Sequence, residues 1–316
     1  MMATFSLPDP SSLDRVAYLV GFPIAHSLSP LLHHAIFSNL GMNWAELLYE
    51  TEALDSFVAL MRSEPKIIGA AITMPYKMAI IPHLDELTPE GEAIGAINTI
   101  FLKTDSNGCR RYCGTNTDCI GVREGFAANV PDPSIYRGKS GLVIGGGGAS
   151  RAAIYAFHHF LGCSPIYMIN RDKGEVDAVI SDCNSKGFGQ NIKYVSTVSE
   201  AERLAPPSAI VSVIPNLPPR TTEEKMTRKI VETFLSASQK GALLEMCYHP
   251  TPDTEIDALA REKGWQVIMG TEAMIGQGLE QAKLWSGIEM KDLPRDAVRT
   301  AVRNAFSEER EAWCAS

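Results

Sequence analysis

The sequence predicts an α/β protein of two domains, and three observations carry that reading. Short apolar runs alternate with helix-like segments through the first 116 residues. A glycine-rich loop, 145–151 (GGGGASR), directly follows one such run and opens a helix. A second strand–helix series continues beyond it. Repeated βα units of this kind favour mainly parallel sheets covered by helices, and 316 residues suffice for two cores.

Taken in order, residues 16–21 (VAYLVG) read as a buried strand. Residues 29–40 read as a helix with proline in its first turn. Residues 45–51 form the second strand, 53–62 a helix, 67–73 the third strand and 76–84 a short helix. Strands over 96–103 and 109–114 flank the turn signal Asp105-Ser106-Asn107-Gly108. Residues 118–128 read as a connecting helix, and 129–140, with two prolines, as a loop. The second series comprises a strand at 141–144, the glycine run, a helix over 150–161, and strands at 166–170, 209–214, 242–248 and 265–269. A last helix, 272–285, carries Gln277 and Gln281 on one face.

Composition excludes several classes. The net charge of −8 and the lack of a Lys/Arg stripe argue against nucleic-acid binding. No run of eighteen apolar residues is available to span a membrane. The first residues lack the basic and apolar regions of a secretory leader. Seven cysteines, an odd number without a CxxC pair, read as free thiols of a reducing, cytoplasmic compartment. Cys109, Cys113 and Cys119 do not share a strand face and have no histidine nearby, so no metal is expected there. Monomer and homodimer both remain open.

The loop Gly145-Gly146-Gly147-Gly148-Ala149-Ser150-Arg151 is the first motif with chemistry. Between strand and helix, its glycines let the backbone approach a pyrophosphate, whose charge rests on the N–H groups of the helix N-terminus. Ser150, at the third small position, permits close packing. A flexible linker is the bland alternative, and the flanking strand and helix disfavour it. The next strand ends in Asn170-Arg171-Asp172, where the adenosine ribose is normally read. Asp172 would accept from a 2′-hydroxyl and favour NAD; Arg171 would welcome the 2′-phosphate of NADP. The two could also form a solvated pair. Asp172 tips the reading toward NAD.

Lys77 follows an apolar strand in TMPYK, and Asp118 lies in GTNTD. Oxidising an alcohol moves a hydride from carbon and a proton from oxygen, and a positioned lysine can take the proton with a carboxylate orienting it. Alone, such a pair is more often structural. Its company changes that balance: Ser27, Ser29, Thr73, Asn98, Asn116 and Gln277 are neutral donors and acceptors suited to a small polyhydroxylated substrate. Ser29 also reads as a helix cap. No arginine is placed for a substrate carboxylate, which leaves the serines and Tyr248. The histidine pairs 33–34 and 158–159 read as helix packing or surface.

The motifs GFPIAHSLSPLLHH, GAAITMPYK, EAIGAINTI, GTNTD, GGGGASRAA and GTEAMIGQGLEQAKLWSG resemble those of the shikimate/quinate 5-dehydrogenases, in that family's order and over nearly the whole chain. The resemblance implies a catalytic pair, Lys77 and Asp118. It implies substrate contacts from Ser27, Ser29, Thr73, Asn98, Asp118, Tyr248 and Gln277. It implies a cofactor site from Gly145, Gly147, Gly148, Ala149, Ser150, Asn170, Arg171, Asp172 and Gly270, with no metal. It further implies a substrate domain of 1–117 completed by 271–316, a Rossmann domain at 118–270 and an active site in the cleft. Three departures stand out. Ala71 occupies a position usually asparagine in bacterial members, Asn-Arg-Asp replaces the Asn-Arg-Thr of NADP-linked members, and Glu245 replaces a frequent aspartate. The texture resembles the stand-alone fungal quinate dehydrogenases, although the Ser27/Ser29 pair resembles shikimate-preferring members. The expected activity is NAD-dependent oxidation of quinate, with NADP-dependent shikimate oxidation as the alternative. A metabolite-sensing regulator of this fold is the rival from another class, disfavoured by the retention of Lys77 and Asp118.

Overall fold

The computed structural model describes residues 7–248 and 253–314, with side chains as far as residue 306. Residues 1–6, on which the leader reading partly rests, lie outside the described residues. The chain divides into two compact units, Met1–Thr117 with Gln277–Ser316, and Asp118–Gly276. Among the described residues no helix is long and apolar enough to cross a membrane.

The first unit holds strands β1 (Arg15–Gly21), β2 (Trp44–Glu50), β3 (Ile67–Ile72), β4 (Glu86–Leu87), β5 (Thr99–Thr104) and β6 (Arg110–Thr115). Its helices are α1 (Ser29–Asn39), α2 (Leu54–Ser63) and α3 (Pro89–Ile94). The six strands form one sheet in the order β2-β1-β3-β5-β6-β4. The sheet is mixed. β1 runs parallel to β2 and β3, but β5 is antiparallel to both its neighbours. The cause is local: Asp105 Oδ1 accepts from the backbone N–H of Asn107 (2.9 Å) and Cys109 (2.8 Å), and Gly108 takes φ +79°, closing a β5–β6 hairpin. Tyr18, Phe57, Ile72 and Ile100 lie in the unit's core.

The expected helix over 76–84 is absent. Turns and one 3₁₀ turn, Ile81–His83, replace it. Pro82 within the segment supplies no backbone donor and blocks a helical turn.

The second unit opens with α4 (Asp118–Asn129) and contains β7 (Gly141–Ile144), α5 (Gly148–Ala156), β8 (Ile166–Ile169), α6 (Lys173–Ser185), β9 (Ile192–Tyr194) and α7 (Val198–Ala201). β10 (Ala209–Ser212), α8 (Thr222–Leu235), β11 (Ala242–Glu245), α9 (Glu255–Glu262) and β12 (Gln266–Met269) follow. All six strands are parallel, in the order β12-β11-β10-β7-β8-β9. This is the doubly wound Rossmann order, with its crevice where β7 and β10 diverge to opposite sides. α5 ends in a π-helical turn, Phe157–Leu161, so the expected 150–161 helix is interrupted at Ala156. Helices α6, α8 and α9 were not read from the sequence. α8 buries Thr227, Ile230, Val231, Phe234 and Leu235, a stripe at helical spacing within a largely charged segment. α10 (Gly270–Ser286) and α11 (Arg295–Cys314) complete the chain, the latter also unread in the sequence.

Trp285 fixes the C-terminal part of α10 to the first sheet. Its indole Nε1 donates to the carbonyl of Ile100 (2.9 Å). That approach requires a glycine beneath it: a Cβ on Gly69 would stand 2.2 Å from the Ile100 oxygen and 2.3 Å from the Trp285 nitrogen. Gly69→Ala is therefore expected to destabilise the protein by at least about 2 kcal/mol, since backbone cannot yield as a side chain can. Chemical denaturation with no loss of midpoint would count against this close packing.

Candidate active site

The loop after β1 is built for close approach. A Cβ on Gly21 would meet Thr73 at 2.4 Å and the Met74 carbonyl at 2.7 Å. Thr73 N–H donates to the Val20 carbonyl (2.9 Å) and Phe22 N–H to the Met74 carbonyl (3.0 Å). The loop carrying Ser27 and the turn carrying Thr73 and Lys77 are thus laced together. The Glu50 carboxylate, at the end of β2, holds the same loop from the other side, accepting from Ile24 N–H (2.8 Å) and Ala25 N–H (3.1 Å). Ser27 Oγ accepts from Ser29 N–H (3.2 Å), the first backbone donor of α1, whose N-cap position is held by Leu28 without a side-chain cap, so Ser29 is not the cap. Ser29 lies 3.4 Å, Oγ to Nδ1, from His33, which is fully buried and bonded to the buried Glu46 carboxylate (3.1 Å).

Lys77 is half-buried, and its carbonyl accepts from Ile97 N–H (2.7 Å), one residue before Asn98. Asn98 is buried at the centre of a polar cluster. Its Nδ2 donates to Gln277 Oε1 (2.9 Å) and Thr117 Oγ1 (3.1 Å). Its Oδ1 accepts from Thr117 N–H (2.6 Å) and Thr99 Oγ1 (2.9 Å). Gln281 Nε2 donates to Thr99 Oγ1 (3.0 Å). The shared face of Gln277 and Gln281 is therefore what docks on Asn98 and Thr99. Asn98 acts here as the residue that holds Gln277, its amide engaged at both ends. Thr99, Thr117 and Glu50 were not anticipated as site-building residues.

In the second unit Asp118 is buried at the first turn of α4, where a carboxylate complements the helix dipole. Burial raises the Tyr248 phenol, and the Asp118 charge raises it further, so these two sequence-predicted residues share one electrostatic environment. Glu245, at the end of β11, is buried and pushed up to about 7, burial being the main cause. Its carboxylate accepts from Cys247 N–H (3.1 Å) and Thr254 Oγ1 (3.1 Å) and so ties both flanks of the segment carrying Tyr248. Gly270 packs against the end of β11, where a Cβ would lie 2.6 Å from the Met246 carbonyl.

The glycine loop forms a cradle at the β7/β10 crevice. Gly145 takes φ +133°, a conformation reserved for glycine. A Cβ on Gly146 would strike Asn170 Nδ2 at 2.4 Å, whereas one on Gly147 would meet nothing within 4 Å. Open space thus lies over the loop just where the first N–H groups of α5, from Gly148 and Ala149, lack helical partners, while Ser150 N–H donates to the Gly147 carbonyl (3.1 Å). A cavity of about 220 Å³ begins there and runs past Asn170, Arg171, Val213, Glu175 and Glu224. These residues fit a dinucleotide: a backbone cradle for pyrophosphate at one end and polar side chains beyond β8 at the other.

At that far end the structure departs from the sequence reading in detail. Asp172 spends Oδ1 on the N-cap of α6, accepting from Gly174 N–H (2.7 Å) and Glu175 N–H (3.3 Å). Asn170 Nδ2 donates to Glu175 Oε2 (2.7 Å). Arg171 does not pair with its neighbour Asp172; it pairs with Glu224, from α8. Thr221 and Glu224 form a capping box, a T-x-x-E signal present in the sequence and not used there. Arg151, at the end of the loop, is held by Asp182. Among the described residues, Cys109, Cys113, Cys119, Cys163, Cys183 and Cys247 are free thiols, and no group of three or more potential metal ligands converges.

Comparison with known proteins places this geometry. A family model described as the shikimate dehydrogenase substrate binding domain matches residues 19–100. A quinate dehydrogenase from Emericella nidulans is 42% identical over 301 residues, covering 90% of this chain and 92% of its own. The dehydroquinate dehydratase and shikimate dehydrogenase structure from S. pombe is 33% identical, with a TM-score of 0.76 over 91% of this chain, which spans 52% of that longer one. Shikimate 5-dehydrogenase from Thermus thermophilus, solved with NADP(H) and shikimate, is 26% identical, with a TM-score of 0.73 over 92% of this chain and 99% of that one.

Proposed function

Because this chain belongs to the shikimate/quinate dehydrogenase family of oxidoreductases, we propose that it is an NAD-dependent quinate 5-dehydrogenase. It oxidises a ring carbinol of quinate to the ketone of 3-dehydroquinate, with secondary activity on shikimate. The observation that carries the substrate class is the amide and hydroxyl cluster around Asn98. Neutral groups there, each oriented by a neighbour, suit several hydroxyls at once. Gln277, held through its carbonyl by Asn98, has its amide nitrogen to donate. Ser27, on the loop fastened by Glu50, and Ser29, at the start of α1, serve the carboxylate end with Tyr248.

A dinucleotide held by the glycine loop 145–150 would supply the hydride acceptor. Lys77 takes the alcohol proton, and Asp118 is its carboxylate partner and a ring-hydroxyl ligand; motif identity and order support these two roles. The preference for quinate rests on the 42% identical quinate dehydrogenase and on Ala71, a buried apolar residue of β3. The preference for NAD rests on the acidic surroundings of Arg171. A rate matrix of two substrates against two cofactors tests the whole reading, with the highest kcat/KM expected for quinate and NAD. A tenfold advantage for shikimate with NADP would overturn the choice of substrate and cofactor. Binding of quinate without turnover under any pairing would instead favour a metabolite sensor.

A further inference from the structure

The end of the cavity beyond β8 is governed by a residue far away in sequence. Glu224 is anchored before any ligand arrives. Its Oε2 accepts from the backbone N–H groups of Arg220 (2.7 Å) and Thr221 (3.0 Å), closing the cap of α8. Its Oε1 takes the Arg171 guanidinium. The backbone donors of Thr221 and Arg220, and then Arg171, hold the carboxyl down at about 2, so it is ionised across the working range. Glu224 is the fixed member of the pair: its side chain is 22% exposed against 64% for Arg171.

A 2′-phosphate carries nearly two negative charges and is best met by a guanidinium that offers both donors of its fork. Here the fork is already drawn toward a carboxylate. Further negative charge gathers close by, since Glu175 lines the same cavity and Asp172 caps α6 beside it. The other arginine of the lining, Arg228, is bonded to Glu255 (2.9 Å). A 2′-hydroxyl makes no such demand. We propose that Glu224 is a specificity-determining residue for the dinucleotide: by engaging Arg171 it withholds the cation that a 2′-phosphate needs, and so disfavours NADP. This rests on the reading of the cavity as the dinucleotide site.

The test is direct binding. Calorimetric titration with 2′,5′-ADP and with ADP isolates the 2′-phosphate without requiring turnover. Glu224→Gln suits it because glutamine also closes a capping box while removing the charge. The variant is expected to bind 2′,5′-ADP about fivefold more tightly, the scale of a partly exposed ion pair, with ADP within twofold of wild type. In an Arg171→Ala background the same substitution should leave 2′,5′-ADP affinity nearly unchanged, because the effect passes through Arg171. Unchanged 2′,5′-ADP affinity in folded Glu224→Gln, or an equal gain without Arg171, would overturn the proposal. Failure of both nucleotides to bind wild type would overturn both this role and the cofactor reading. A wild-type protein that prefers 2′,5′-ADP, yet gains further from Glu224→Gln, would refute the NAD preference and uphold the role of Glu224.

Discussion

Lys77→Ala is expected to lower quinate turnover roughly a hundredfold or more, the usual scale for removing a general acid–base group. The local frame gives the expectation its force. Tyr76 is buried, its hydroxyl donating to the Thr51 carbonyl (2.8 Å), and the Lys77 carbonyl is bonded to Ile97 N–H (2.7 Å). The backbone on both sides of the lysine is therefore fixed, and truncation to alanine removes the amine without releasing the turn. The loss should fall on kcat, with ADP affinity preserved, because the nucleotide cavity belongs to the other compact unit. Steady-state kinetics beside the calorimetric titration separate the two quantities. Turnover near wild type in Lys77→Ala would remove Lys77 from proton transfer.

Glu245 should make stability pH-dependent in an unusual direction. Burial raises its carboxyl from 4.5 to about 7 in the folded chain. Between those values the folded protein binds the proton more firmly than the unfolded one, so stability falls as pH rises from 4.5 through 7 and then levels. Below 4.5 both states carry the proton and the contribution is fully present. Glu245→Gln, which keeps a hydrogen-bonding amide without a charge, should be flat over this window. At pH 8 it should exceed wild type by up to ~3 kcal/mol. Denaturation midpoints of both proteins across pH 4 to 9 check this. Parallel curves would mean that the folded carboxyl ionises as readily as the unfolded one.

Much of the fold was legible because its signals are local. The glycine loop stood between an apolar strand and a helix, and the i, i+4 glutamines announced a single face, later found docked on Asn98 and Thr99. The mixed character of the first sheet was only partly legible. The Asp105–Gly108 turn marked a hairpin, but repeated βα units argued for parallel strands. Helices α6, α8 and α11 escaped because their polar majority hides a narrow apolar stripe. The site was legible as residue types and not as pairings. Glu50 reaches the loop of Ser27 across 25 and 26 residues, and Glu224 reaches Arg171 across 53. Such partners are set by where strands end in space, which spacing along a chain does not encode. The histidine pair at 33–34 read as helix packing or surface; His33 is indeed packed, and what the spacing did not announce is its buried partner, Glu46, next to Ser29.

The double engagement of Glu224 carries an evolutionary corollary. One carboxylate completes a helix cap with one oxygen and restrains an arginine with the other. A lineage drifting toward the phosphorylated dinucleotide cannot discard this side chain freely, because alanine or glycine would relax selectivity and fray α8 together. Glutamine is the narrow passage that separates the two duties. Relatives that have changed cofactor should therefore carry glutamine here, or a compensating cap at the start of the same helix, more often than small residues.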